Sequence, residues 1–446
     1  MSITFNDRDE FQRKQIAEKA IQLLRADIDI SPMVIDGSWG TGKTEFCHKL
    51  INLMTEEDTH HLIYVDAFQA DHADEPLLTV LAEVVNILPS EEDKESFIKK
   101  AIPAARYGLK ALAKAGVAHL LRQDAADVVN DFDKEIQQAA NKAIDASVES
   151  VLKDHVKASE SLRTLQETLE GIAQEKPIVL FVDELDRCRP DFAVNMLEII
   201  KHTFNVKGVQ FVLVTNTQQL RSSINHCYGE TVDAQRYLDK FLKYSFSLPQ
   251  VQGLNTYQET SVSLSHYKNL VRTSNVLEPL KLQECGSIRV IEQIIKINNL
   301  SLREVETLVR HLEVYVALSQ QGHLSNNTIF GYKTLTVLAI AIYSIRPKLG
   351  NAILSQTFDA KDVGSILGKT GLTILTGQSR PDEMELLCYL ICSSNCKNSE
   401  IFIPEGNENK EKWDSFADSY FRGSFFRPDE GYASICKDAL TVLSLH

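Results

Sequence analysis

The stretch GSWGTGKT at residues 37–44 fits G-x-x-x-x-G-K-[ST], the spacing of a loop that cradles phosphate. Gly37 and Gly42 are expected to permit backbone conformations that side chains block. The N–H groups across Ser38, Trp39, Gly40 and Thr41 can then turn inward on phosphate oxygens. Lys43 adds a mobile positive charge, Thr44 offers its hydroxyl to Mg²⁺, and a helix beginning at the lysine adds its partial positive charge. Such a loop binds a nucleotide without deciding whether it is cut. Hydrolysis also needs a carboxylate for the metal and a group that orients water. The run IVLFVDELD (178–186) supplies both. Asp183 is expected to reach the magnesium ion, Glu184 to polarise the attacking water, and Asp186 to serve as an alternative base or a second carboxylate of the metal shell. Asn216 is placed to hold the same water or a γ-phosphate oxygen, with a turn-forming asparagine as the competing reading. In AQRYLDKFLKYSF (234–246), Arg236 and Lys240 are expected one turn apart on a helix, where either could reach the nucleotide of a neighbouring subunit.

These residues need a frame. MVID before the loop, HLIYVDAF (61–68), IVLFVD and VQFVLVTN (209–216) read as strands, each closed by a polar residue. EFCHKLINLM and PDFAVNMLEIIKHTF read as helices between them, and a further helix is expected around Phe11–Leu24. The alternation implies an α/β fold with a parallel sheet covered on both faces and the ligand at the carboxyl ends of the strands, where acids from a neighbouring strand position the cation. Residues 1–76 and 177–250 are expected to form this core, with a helical insertion at 77–176, a helical lid at 251–320 and a helical carboxyl-terminal domain at 321–446. Within the insertion, Arg106, Lys110 and Lys114 recur every four residues and read as a solvated face.

The chain has 446 residues and a formal charge of −14, which disfavours direct binding to nucleic acid or anionic membranes. Eight scattered cysteines and no signal peptide point to the cytoplasm and free thiols. The longest apolar run, LTVLAIAIYSI (335–345), is too short to span a bilayer and reads as a buried helix. Cys388, Cys392 and Cys396 fall on one helix face without the geometry of a zinc site. The aromatic run from Trp413 to Phe426 reads as core or protein interface rather than a base-stacking surface.

Taken together, GSWGTGKT, IVLFVDELDRCRPDFAVNMLEIIK and AQRYLDKFLKYSFSLP resemble the KAP family of P-loop NTPases, related in design to the AAA+ and STAND groups. Trp39 in the phosphate loop, the run Asp183–Cys188, Tyr237, Leu238, Lys240, Leu248 and Pro249, and the spacing from Asp9 to Arg13 carry the likeness over roughly residues 5 to 310. Two features depart from it: a charged, alanine-rich segment stands where many members insert membrane helices, and Glu184 replaces the usual aspartate. The resemblance implies a three-layer P-loop fold, ATP with Mg²⁺ as ligand, and a nucleotide-sensing arginine in the lid, for which Arg303 is the match. It further implies a part in anti-phage defence, while a finger residue offered between subunits points to homo-oligomers or hetero-complexes with other protein chains. A nucleotide-gated scaffold and a DNA-directed motor or loader are the alternatives carried forward.

Overall fold

Alternate residues of the apolar runs part onto the two faces of one sheet. The computed structural model describes residues 3–26, 28–73, 75–104, 157, 159–252, 260–282, 286–320, 322–376, 379–392, 396–422, 428 and 431–445. The chain divides into two compact units, Met1–Asp9 with Arg13–Leu248, and Glu10–Gln12 with Pro249–His446.

In the first unit, β1 (Met33–Asp36), β2 (His61–Asp66), β3 (Ile178–Asp183), β4 (Val209–Thr215) and β5 (Tyr244–Ser247) form a five-stranded sheet in the order β2-β3-β4-β1-β5. Every pairing is parallel. The strands β1, β3 and β4 are almost entirely buried, as a parallel sheet with both faces covered requires. Because side chains alternate along a strand, Ile178, Leu180 and Val182 join one apolar core with Val34 and Leu213. Val179 and Phe181 join the other with Met33, Ile35 and Val214. This second core receives α1 (Lys14–Arg25), through Ala17, Ala20, Ile21 and Leu24, and α2 (Lys43–Thr55), through Phe46, Cys47 and Leu50. The first core is covered by α3 (Pro76–Asn86), α4 (Pro190–His202) and α5 (Thr217–Tyr228).

Two expectations change and one strand is added. The strand β5 was not visible as a strand, because YSFS is polar and mostly exposed at the sheet edge. The helix α6 (Ala234–Leu238) ends before Lys240, so Arg236 and Lys240 do not share a helix. The acidic strand β3 is also not the neighbour of β1, since β4 runs between them. The described parts of the insertion are helical, whereas Arg106, Lys110 and Lys114 lie outside the described residues.

The second unit is mainly helical, with a single two-stranded ribbon among its described residues. It has one large apolar core. Its helices α7 (Val262–Thr273), α8 (Ile288–Asn298), α9 (Leu302–Ser319) and α10 (Phe330–Ile345) contribute to that core, and α10 contains the long apolar run 335–345, a buried helix as expected. Among the described residues, no helix is long and apolar enough to cross a membrane. His266 on α7 is buried between Glu10, whose Oε1 lies 2.7 Å from its Nδ1, and Glu306, whose Oε1 lies 3.2 Å from its Nε2. Cys388 and Cys392 are buried core residues of the helix Glu383–Cys392, and no described group of histidine, cysteine or carboxylate residues is arranged to hold a metal. Trp413 and Phe421 are fully buried, in keeping with a core role for the late aromatic run, while Phe425, Phe426 and Arg427 lie outside the described residues.

Candidate nucleotide site

The loop between β1 and α2 leaves the carboxyl end of β1, where Gly37 N donates to Thr215 O at 3.3 Å. It enters the helix through Gly42, whose φ of 81° lies in the left-handed region. Gly37 has no such φ, contrary to expectation. Its requirement is close approach, because a Cβ there would stand 3.1 Å from Thr41 Oγ1. Lys43 folds back over the loop and donates to Gly37 O (2.6 Å) and Ser38 O (3.1 Å). Burial lowers the pKa of its ammonium, while Asp186, Asp183 and Asp36 act in the opposite direction. From the start of α1, Arg13 braces the far side of the loop, donating to Thr41 O at 3.0 Å.

The alternation that sends Val179 and Phe181 toward α2 sends Asp183 to the same face, one strand away from the loop. Asp183 is only 1% exposed. It accepts hydrogen bonds from the Glu184 N–H (2.7 Å), from Tyr64 OH (3.2 Å) and from the Thr44 hydroxyl. Burial pushes its carboxyl above the usual carboxylate range, and those bonds together with Lys43 pull the other way. Thr44 and Asp183, the two expected metal residues, are thus side by side.

Glu184 sits at φ 60°, a costly conformation for a residue with a side chain, and opens the short turn Leu185–Arg187. Its carboxylate pairs with Arg187 at 2.8 Å. Burial raises its pKa, and Arg187 opposes the rise. Asp186 is buried and has both oxygens engaged: Trp39 Nε1 donates to Oδ2 (2.5 Å) and Thr215 Oγ1 donates to Oδ1 (3.1 Å). Instead of standing free as a second base, it ties the phosphate loop to the end of β4.

Asn216 caps α5, its side-chain oxygen accepting from the N–H groups of Gln218 (3.1 Å) and Gln219 (3.4 Å). Arg236 is exposed and pairs with Asp233 at 3.4 Å. Lys240 is exposed in the turn after α6 and lies near the amino ends of the strands, away from the phosphate loop. Arg303 is exposed on α9 in the second unit, one residue after the helix begins. Ser38, Trp39, Gly40 and Thr41 complete the loop, with Trp39 half-exposed at its rim. Sequence reasoning missed Tyr64, Arg187 and Thr215. Only Arg187 left a readable signal there, the three-residue spacing from Glu184 that allows an ion pair.

A glycine-rich loop closing on Lys-Thr at a helix start, seated on a parallel sheet with a buried aspartate facing that helix, defines the P-loop NTPase class. Residues 13–319, more than half of the chain, match the KAP family P-loop domain, and the chain belongs to that family. No curated protein matches it. Among solved structures it is similar to AMPPCP-bound DnaA from Aquifex aeolicus, at 12% identity, covering 99% of this chain and 89% of that chain with a TM-score of 0.30. A likeness at that score carries no argument.

Proposed function

We propose that the chain is a magnesium-dependent nucleoside triphosphatase that uses ATP and energises or regulates a complex with other protein chains. The observation that carries this reading is the meeting of Lys43, Thr44 and Asp183 at the carboxyl ends of β1 and β3. The loop amides and Lys43 would bind the phosphates. The adjoining hydroxyl and carboxylate are hard oxygen donors that suit Mg²⁺, which when bound neutralises phosphate charge. Glu184 would orient and deprotonate water, and Asp186 would hold Trp39 and the loop in place. Arg236 is exposed and available to a neighbouring subunit, Asn216 would act mainly as a helix cap, and Arg303 would sense nucleotide from the lid formed by residues 251–320. A cytoplasmic setting and a part in anti-phage defence complete the proposal and rest on the family likeness.

A second reading has its own observation. Arg187 holds Glu184 in an ion pair, which suits a nucleotide-gated scaffold that barely turns over. Calorimetry with Mg-ATP and phosphate release on wild type, Lys43→Ala and Glu184→Gln separate the two. The hydrolase reading expects Lys43→Ala to lose binding, and Glu184→Gln to keep it while release falls about 100-fold or more. Equal, near-zero release from wild type and Glu184→Gln favours the scaffold. Absence of any Mg-ATP binding by wild type removes both.

A further inference from the structure

At the end of the sheet opposite the phosphate loop, where β1 and β4 begin, lies a cavity of about 460 Å³. Four lysines from two well-separated stretches of chain line it: Lys201 and Lys207 around the carboxyl end of α4, and Lys240 and Lys243 between α6 and β5. Among the described lining residues the one carboxylate is Asp29, which pairs with Lys243. Lys201 Nζ stands 4.9 Å from the ring centre of Phe241, so part of the wall is aromatic. On a chain of formal charge −14, a concavity lined by four lysines and, among its described lining residues, one carboxylate is a local positive patch that favours a bound anion. The volume falls within the range of small-ligand sites. No described lining residue is an arginine. Ammonium groups act as point charges, which suits a compact anion of high charge density better than the planar carboxylates of an extended peptide.

We propose that this cavity is a second anion site, taking a small phosphate-bearing molecule with at least two negative charges. It is separate from the phosphate loop and independent of whether the chain hydrolyses ATP. The site gives Lys240 and Lys243 a role within their own subunit.

Inorganic tripolyphosphate, titrated calorimetrically into the full chain at low and at physiological salt, tests it. Wild type should show two classes of site, and Lys43→Ala should keep one of them. The double variant Lys207→Ala/Lys240→Ala changes two exposed side chains and should keep the wild-type melting temperature. It should lose that second class, with affinity there falling about ten-fold or more at low salt, and keep Mg-ATP binding. If Lys43→Ala does not fold, loss of one of the two classes in the double variant decides alone. A single class in wild type, unchanged binding by the double variant, or tighter binding of a glutamate-rich peptide than of tripolyphosphate would overturn the proposal.

Discussion

Asp183 shows how one buried carboxylate links folding to ligand. Its pKa is raised, so the folded protein holds a proton at pH values where an ordinary aspartate has lost it. The stability associated with that proton is complete below the ordinary value of 3.8 and is lost as pH rises through the raised one. On the proposed function, metal-assisted nucleotide binding would run the other way, because it would need the carboxylate. Mg-dependent ATP affinity should weaken as pH falls through the raised value, and Asp183→Asn should flatten that profile; calorimetry across pH reads both. Asp186 makes a different demand. Replacing it with asparagine turns one acceptor into a donor opposite Trp39 or Thr215, so Asp186→Asn should cost about 1–3 kcal/mol in urea unfolding and weaken ATP binding. An unchanged unfolding midpoint would dismiss the tether.

Elements were legible in proportion to how much of their surface they bury. Strands β1, β3 and β4 announced themselves as apolar runs closed by a polar residue, because both their faces are covered. Among the described residues the edge strand β5 pairs only with β1, and its side chains are largely wet, so its sequence carries no apolar signature. Asp183 could be placed from the sequence because strand alternation and strand end together fix it. The Trp39–Asp186 bond could not, since it joins residues 147 positions apart and depends on sheet order. That order is not written locally: β4 inserts between β1 and β3, and nothing in the local sequence of either strand records its neighbour. Helix α9 illustrates a local signal that does carry weight. Ser301 and Glu304 form a reciprocal capping box, each side chain serving the other's backbone N–H. Ser301→Ala should lower stability by about 1 kcal/mol, measured by chemical denaturation of the full chain.

Over the whole molecule, net negative charge sets the terms of association. A surface of formal charge −14 repels polyanions at long range, so DNA should neither bind at physiological salt nor raise phosphate release. Protein partners are not subject to this constraint. If Arg236 reaches a neighbour's nucleotide, phosphate release per molecule should rise with protein concentration and lose that rise in Arg236→Ala. Release proportional to concentration in both proteins would assign hydrolysis to the isolated chain.

Cys47 lies one turn along α2 from Lys43 and Thr44, fully buried, its thiol pKa raised well above the ordinary value by burial. An alkylating reagent can reach that sulfur only when the helix lifts from the sheet, so its modification rate is a clock for opening of the binding element. Mass spectrometry of the Cys47 peptide should show the clock slowing as Mg-ATP is added, by the factor with which ligand favours the closed form. The protein thus carries its own chemical recorder of occupancy, readable without any turnover.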